Sequence, residues 1–292
     1  QLPTTHPIVA DIPDLEAAKL NFDGITYAKG ASVLKQLVGF VGEDAFFRGA
    51  QRYFAAHAYG NTTLGDLLAA LEEASGRDLT SWSAEWLQTT GLPTLTVERE
   101  PLALSQDLAR PHTVRIGLWN EDAGALVARG EVVVDLLAER TLVDAPVLPR
   151  AELLIPNVDD RSYAKVRLDA ASVVAVERGL STMPDAVARG VVWAALWNAV
   201  RDGELAASRY LAIAARHAPA ESHPALLQDV LAHAAFAIRH YVPDAARETA
   251  ASAWLDGAWT AMGDAAPESD AQLIWARAVA VAAEVCTDRA PE

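Results

Sequence analysis

Seven histidines and a single cysteine are the residue types in this sequence best suited to metal binding or nucleophilic chemistry. Zinc hydrolases often place two histidines four residues apart on a helix, as in H-E-x-x-H, and this sequence contains no such pair. His233 and His240 are seven residues apart, and no glutamate is placed beside them as a third ligand. We therefore interpret the histidines as exposed or hydrogen-bonded structural residues, and Cys286 as a small buried apolar residue.

The segment Phe22–Ala31, with the sequence FDGITYAKGA, places two glycines at the start of a predicted helix. Glycine costs about 1 kcal/mol in a helix interior, so Gly30 predicts the close approach of another backbone or of a ligand. Tyr27 falls in the first turn, where a helix end often borders a cleft, although core packing is the commoner role of a tyrosine. The sequence contains no G-x-S-x-G, P-loop or dinucleotide-binding motif, and so no self-contained active site.

The elements that must position this segment are helical. Asp23 is a suitable N-cap for the helix that carries Tyr27, and Thr63 with Asp66 resembles a capping box. Three prolines predict that residues 1–21 are irregular. Apolar spacing predicts about four helices over residues 22–90, the last carrying Trp82 and Trp86.

The pattern changes at Pro93. Apolar and polar residues alternate in several short runs, which predicts six or seven strands over residues 94–168, enough for a small antiparallel sandwich. From about Ala170 the chain returns to Ala-rich helices separated by short turns, typical of a helical-repeat stack. The predicted helices cover residues 171–179, 184–200, 204–217, 222–241, 244–262 and 268–286.

Composition excludes several classes of protein. Half of the 292 residues are apolar (51%), which is enough for a buried core, and the longest apolar run, around Gly190–Leu196, is too short to span a membrane. The net charge of −15 argues against binding to nucleic acid. One cysteine excludes a disulfide framework. The chain begins at Gln1 rather than at methionine, so we expect either processing or a piece of a longer chain.

The Phe22–Ala31 segment resembles the tyrosine segment of aminopeptidase N-type zinc metallopeptidases, most closely those of the actinobacterial type. Short motifs on both sides follow the order of that family, and together they cover most of the chain. These motifs are His6–Ile8, Val41–Asp44, Phe47, Tyr53, Asn61–Thr63, Asp66–Leu68, Ser75–Leu79, Trp82–Trp86, Gly91–Pro93, Leu154–Asn157 and Tyr163–Asp169.

The resemblance implies a multidomain α+β chain: the helical end of a catalytic domain (residues 1–91), an antiparallel β-sandwich (92–169) and a C-terminal ARM/HEAT-like helical-repeat domain (170–292). It also implies that Tyr27 is the catalytic residue, whose phenol donates a hydrogen bond to the oxyanion of the tetrahedral intermediate. Asp23 is interpreted as a cap, Lys29 as a solvated or ion-paired lysine, and Tyr53 and Tyr59 as packing residues.

The family's zinc motif and amine-binding loop precede its tyrosine segment, and neither occurs in this chain. We therefore expect a C-terminal part of a zinc-dependent aminopeptidase that removes N-terminal residues from peptides, with the zinc ligands in the N-terminal portion of the same protein. On its own the chain is expected to bind no metal and to be inactive. The expected location is cytoplasmic, without membrane or nucleic-acid partners. The alternative is a non-catalytic protein- or peptide-interaction module built on a degenerate homologue.

Overall fold

The computed structural model of the chain describes residues 5–144, 150–284 and 286. These residues form two compact units, each of which draws on more than one stretch of the chain. The first unit consists of residues 1–117, 130–150 and 156–165, and the second unit consists of residues 118–129, 151–155 and 166–292.

The first unit begins with helices whose ends are set by local side chains. Asp14 caps a short helix, Leu15–Leu20, within the segment that its prolines led us to expect to be irregular. The prediction for residues 1–21 is therefore wrong over this helix. The capping box of Thr63 and Asp66 is confirmed, and Gly76 ends the same helix in the left-handed conformation with φ +70°. The helices are α1 (Leu15–Leu20), a π-helical turn (Ile25–Lys29), α2 (Gly30–Val41), α3 (Glu43–Ala56), α4 (Leu64–Ser75) and α5 (Thr80–Leu87).

The core of these helices centres on the two tryptophans of α5. Trp82 and Trp86 are almost fully buried, and their indole nitrogens donate to Gln36 Oε1 (3.0 Å) and to the Pro111 carbonyl (2.9 Å). Each buried polar atom of the pair therefore has a partner, as a low-dielectric core requires. The apolar residues of this core are Val33, Leu37, Phe40, Val41, Leu71, Leu79, Trp82, Trp86 and Leu87.

The described residues contain seven strands in two sheets, in agreement with the predicted number. The four-stranded sheet has the order β5-β2-β1-β7, and the three-stranded sheet has the order β4-β3-β6. Strand β1 pairs antiparallel with β2 in the register Val97 opposite Leu104, and β2 pairs antiparallel with β5. The strands are β1 (Thr94–Arg99), β2 (Leu102–Gln106), β3 (His112–Asp122), β4 (Ala125–Leu136), β5 (Arg140–Leu142), β6 (Leu153–Pro156) and β7 (Lys165–Arg167).

The second unit is mainly helical, and three of the six α-helices described in it start at a residue whose side chain caps them. Asp169 and Asp185 accept hydrogen bonds from the free amides of α6 and α7, and the side chain of Ser269 caps α11. All six predicted helices are present, with ends shifted by a few residues. They are α6 (Ala170–Gly179), α7 (Ala186–Arg201), α8 (Ala207–His217), α9 (Pro224–His240), α10 (Asp244–Asp264) and α11 (Asp270–Ala283).

None of the helices in the described ranges combines the length and the apolar character needed to cross a membrane.

Candidate functional site

Tyr27 lies in the middle of the π-helical turn Ile25–Lys29, immediately before α2. Its side chain is 57% exposed, and its ring lies 5.5 Å from that of Phe22, measured between centroids. Among the described residues, none forms a hydrogen bond with the Tyr27 hydroxyl. Tyr27 therefore does not have the core-packing role that is commoner for a tyrosine, and the phenol is free to donate to a group outside the described chain.

The wide π turn arises from the residues before it. The Ala28 and Lys29 amides both donate to the Gly24 carbonyl at 2.9 Å, and the second of these bonds spans five residues. The Gly30 amide continues the pattern by bonding to Ile25 O. Single π turns within helices occur frequently at functional sites, because the extra residue changes the direction of the side chains around it.

Asp23 caps this turn as the sequence predicted. Its Oδ1 accepts hydrogen bonds from the Ile25 and Thr26 amides, both at 2.9 Å, and its Oδ2 lies 3.0 Å from His6 Nε2. The hydrogen bond from the Thr26 amide, assisted by His6 and by the Ile25 amide, holds the pKa of Asp23 below its ordinary value despite partial desolvation. The carboxylate that starts the turn is thus charged at neutral pH.

Lys29 has a different environment from the one predicted. Instead of being solvated or ion-paired, it is only 6% exposed, and its Nζ donates to the Gly91 carbonyl (3.1 Å) and more weakly to the Thr89 carbonyl (3.5 Å). Burial, together with the nearby Arg110 charge, lowers the pKa of Lys29 to about 8. This lysine fixes the end of the π turn to the segment that follows α5.

Arg110 reinforces the same segment. Its guanidinium donates to the Thr90 carbonyl (2.6 Å) and to Thr89 Oγ1 (2.8 Å), and it lies 4.8 Å above the Trp86 ring. Burial lowers the pKa of Arg110, although the guanidinium stays protonated at any physiological pH. Lys29 and Arg110 are therefore two buried cations that bind the segment after α5. The sequence did not indicate that either residue would be buried.

His112 is fully buried beside this cluster and forms a T-shaped contact with Trp86 at 4.9 Å. Gln106 uses its amide nitrogen to donate to the Arg110 and Ala138 carbonyls, so its Oε1 must accept from His112 Nε2 at 3.1 Å. His112 Nδ1 then accepts from the Ser162 hydroxyl. Burial, with a smaller effect of Arg110, lowers the pKa of His112 to about 3, so the ring is neutral.

The remaining candidates do not join Tyr27. A Cβ at Gly30 would lie 3.8 Å from the Ile8 side chain, so no other backbone approaches it closely among the described residues, and the approach of a ligand stays a prediction. The Tyr53 hydroxyl bonds to Thr62 Oγ1 at 2.6 Å, whereas Tyr59 is fully exposed among the described residues, so its predicted packing role is wrong. Cys286 is buried, as predicted.

His233 and His240 pack against aromatic rings in the described part of the chain. His233 stacks on Trp197 with ring centroids 4.3 Å apart, and His240 contacts Phe236 at 4.2 Å, so the pair contacts separate aromatic partners. Within residues 5–144, 150–284 and 286, no three His, Cys, Asp or Glu side chains are placed to hold a metal ion.

Two family models match the chain. Residues 1–86 match the peptidase family M1 domain, and residues 153–291 match the ERAP1-like C-terminal domain. The first match contains Tyr27, Asp23 and Lys29 but ends before the carbonyls that Lys29 contacts, and the second match contains the helices α6 to α11.

The chain is also similar in sequence to several known proteins. Aminopeptidase N of Streptomyces lividans is 44% identical over the whole of this chain, which covers 36% of that protein. Tricorn protease-interacting factor F2 of Thermoplasma acidophilum is 26% identical over 90% of the chain, covering 33% of its length. Aminopeptidase 2 of Candida albicans is 39% identical over 33% of the chain, covering 10% of its length. The chain thus spans about a third or less of the length of these relatives.

Proposed function

The chain belongs to the aminopeptidase N-like M1 peptidase family, with part of an M1 domain followed by an ERAP1-like C-terminal domain, and from this premise we propose that it is the C-terminal part of a zinc-dependent aminopeptidase. The intact enzyme removes N-terminal residues from peptides. The 44% identity over the full chain to an aminopeptidase N carries this proposal.

Tyr27 is the catalytic residue that this chain supplies. When a nucleophile adds to the scissile carbonyl, the oxygen gains negative charge, and a fixed O–H donor stabilises that charge. The exposed, unpartnered hydroxyl of Tyr27 supports this role, as does the π turn that presents it. A phenol on a rigid ring loses little conformational freedom when it donates, and its hydrogen bond strengthens as the oxygen gains charge, so it stabilises the transition state more than the ground state.

The described residues do not fit a zinc site, since no suitable group of ligands occurs among them. We therefore place the zinc ligands in the N-terminal portion of the intact protein, with which this chain would associate. The proposal includes the three-part organisation of residues 1–91, 92–169 and 170–292, peptide substrates as the ligands of the intact enzyme, and a cytoplasmic location. It includes no activity for the chain alone.

The test is the substitution Tyr27→Phe in the intact protein, which removes one oxygen and leaves the ring. Loss of an oxyanion donor costs about 10²-fold in kcat. Turnover of an aminoacyl-arylamide should fall by about that factor, with zinc content unchanged. The matched control is Tyr59→Phe, which removes a hydroxyl from a fully exposed tyrosine and should leave turnover as it is.

Two results separate the alternatives. Near-normal turnover by the Tyr27→Phe enzyme would refute the assignment of Tyr27 as the oxyanion donor. An intact protein that carries no zinc and cleaves no aminoacyl-arylamide would instead support the interaction module, in which the helices of the second unit bind a protein or peptide.

A further inference from the structure

His6 and Asp23 form a clamp at the start of the turn that carries Tyr27. The two oxygens of Asp23 have separate partners: Oδ1 accepts from the Ile25 and Thr26 amides, and Oδ2 pairs with His6 Nε2 at 3.0 Å. The backbone carbonyl of Asp23 also accepts from the Tyr27 amide at 3.1 Å. His6 therefore contacts Asp23, the residue whose side chain caps the turn and whose carbonyl accepts the hydrogen bond from the Tyr27 amide.

The ring of His6 is held on both sides. Its Nδ1 lies 2.7 Å from the Pro7 carbonyl, and its Nε2 faces the Asp23 carboxylate, so both nitrogens face oxygen acceptors. A ring nitrogen that carries a hydrogen donates to the acceptor it faces, so an Nε2–H donates to the Asp23 carboxylate and an Nδ1–H to the Pro7 carbonyl. The pair is partly shielded from water, with side-chain exposures of 23% for His6 and 35% for Asp23.

A cap without this clamp would be looser. A carboxylate at an N-cap can rotate about its χ2 torsion, because either oxygen can accept from the same amides. With Oδ2 engaged by His6, Oδ1 is fixed toward the Ile25 and Thr26 amides. Phe22, the residue before Asp23, packs its ring against Tyr27, so rotation of this corner also moves the surface on which the phenol rests.

We propose that His6 is a positioning residue for Tyr27: its Nε2–H donor orients the Asp23 carboxylate and thereby the turn that aims the phenol hydroxyl. This inference rests on the proposed function, since it concerns how the same tyrosine is held. His6 itself touches no reacting atom. Its contribution is to orientation, where a displacement of about 1 Å in a catalytic group can cost about 10²-fold in rate.

Two amide substitutions at His6 test whether its Nε2–H donor matters or only the volume of its side chain. Gln extends its amide nitrogen to the position of histidine Nε2, facing Asp23, whereas Asn reaches only the position of Nδ1, facing Pro7. His6→Gln keeps the donor that the proposal requires, and His6→Asn loses it, although both are neutral amides. His6→Ala removes both donors. The matched control is His57→Asn, since His57 is a part-buried histidine of the same unit that packs on Tyr53.

The assay is steady-state cleavage of an aminoacyl-arylamide by the intact protein, with bound zinc measured for every variant. We expect kcat to fall about 10-fold in His6→Ala and His6→Asn, a partial loss of the roughly 10²-fold contribution of one oxyanion donor, with KM changed less than about twofold. His6→Gln should stay within about threefold of the unaltered enzyme, and His57→Asn should match it. A loss confined to kcat, restored by Gln, is not the behaviour of a residue that only supports the fold.

The outcomes distinguish this inference from the proposed function. If Tyr27→Phe lowers kcat but His6→Ala and His6→Asn do not, the proposed function stands and the positioning role of His6 is overturned. If Gln is as poor as Asn, the Nε2 donor is not what matters, and the inference is again overturned. If the intact protein has no aminopeptidase activity, the proposed function fails first, and the inference fails with it.

Discussion

Mild acid should destabilise the first unit through the buried neutral ring of His112. In the unfolded chain a histidine has an ordinary pKa of 6.5, whereas burial lowers the pKa of His112 to about 3 in the folded chain. Between about pH 6.5 and pH 3, the unfolded state therefore binds a proton at His112 that the folded state does not bind. The free energy of unfolding falls as the pH drops through this range. Between pH 7 and pH 5 the loss from this one group is about 2 kcal/mol.

The experiment compares urea unfolding of the chain and of His112→Gln at the two pH values, followed by tryptophan fluorescence. Gln cannot titrate, so its free energy of unfolding should lose about 2 kcal/mol less than the unaltered chain between pH 7 and pH 5. Contributions from every other histidine are present in both proteins and cancel in this comparison. As a control, His223→Asn replaces an exposed histidine and should keep the pH dependence of the unaltered chain.

Direct titration provides the stricter test of the reasoning. In the chain with labelled histidines, the ring resonance that disappears in His112→Gln should stay in its neutral form down to about pH 4, since the pKa is about 3. If that resonance titrated near 6.5, burial would not be holding the ring of His112 neutral, and the argument would be refuted.

Two further substitutions test the packing of each unit separately, with urea unfolding as the measurement. In the second unit, Glu221→Gln should cost about 3 kcal/mol, because it leaves the buried guanidinium of Arg189, bonded to Glu221 at 2.7 and 3.0 Å, without its counter-charge. The control is Asp122→Asn, which removes the charge from the exposed ion pair of Asp122 with Arg129 (2.9 Å) and should cost less than about 1 kcal/mol. In the first unit, Gly49→Ala should cost about 1–3 kcal/mol, because its Cβ would lie 2.8 Å from a methyl carbon of Leu71; a gain in stability would contradict that packing.

Local features of this chain could be predicted from the sequence because each one needs only a few neighbouring residues. The Asp23 cap and the box of Thr63 with Asp66 are both present, since a carboxylate two or three residues from free amides determines its own partner. The alternation after Pro93 predicted the number of strands for a similar reason. Helix α1 was missed because it buries none of its residues, so no apolar spacing indicates it.

Features that depend on distant partners could not be predicted. The acceptors of Lys29 are the backbone carbonyls of Thr89 and Gly91, about sixty residues away. Because every residue has a backbone carbonyl, the sequence does not indicate which carbonyl will accept. Gly30 was expected to lie close to another backbone or to a ligand, and no other backbone crowds it among the described residues, whereas Gly49 packs tightly against α4. Whether a glycine is crowded depends on which helix packs against it, and helix spacing does not determine that.

The turn of Tyr27 combines both kinds of information, which explains why the sequence predicted only part of what supports it. The Asp23 cap at one end is local, and the Lys29 anchor at the other end is long-range. Both ends are fixed by residues of the first unit, so the direction of the phenol is set by contacts within this chain. An oxyanion donor is useful only if it is aligned before the charge develops, because reorganisation during the reaction would cancel its benefit. The proposed division of an enzyme between zinc ligands elsewhere and a tyrosine here is therefore physically reasonable: the part that donates the hydrogen bond also carries what orients it.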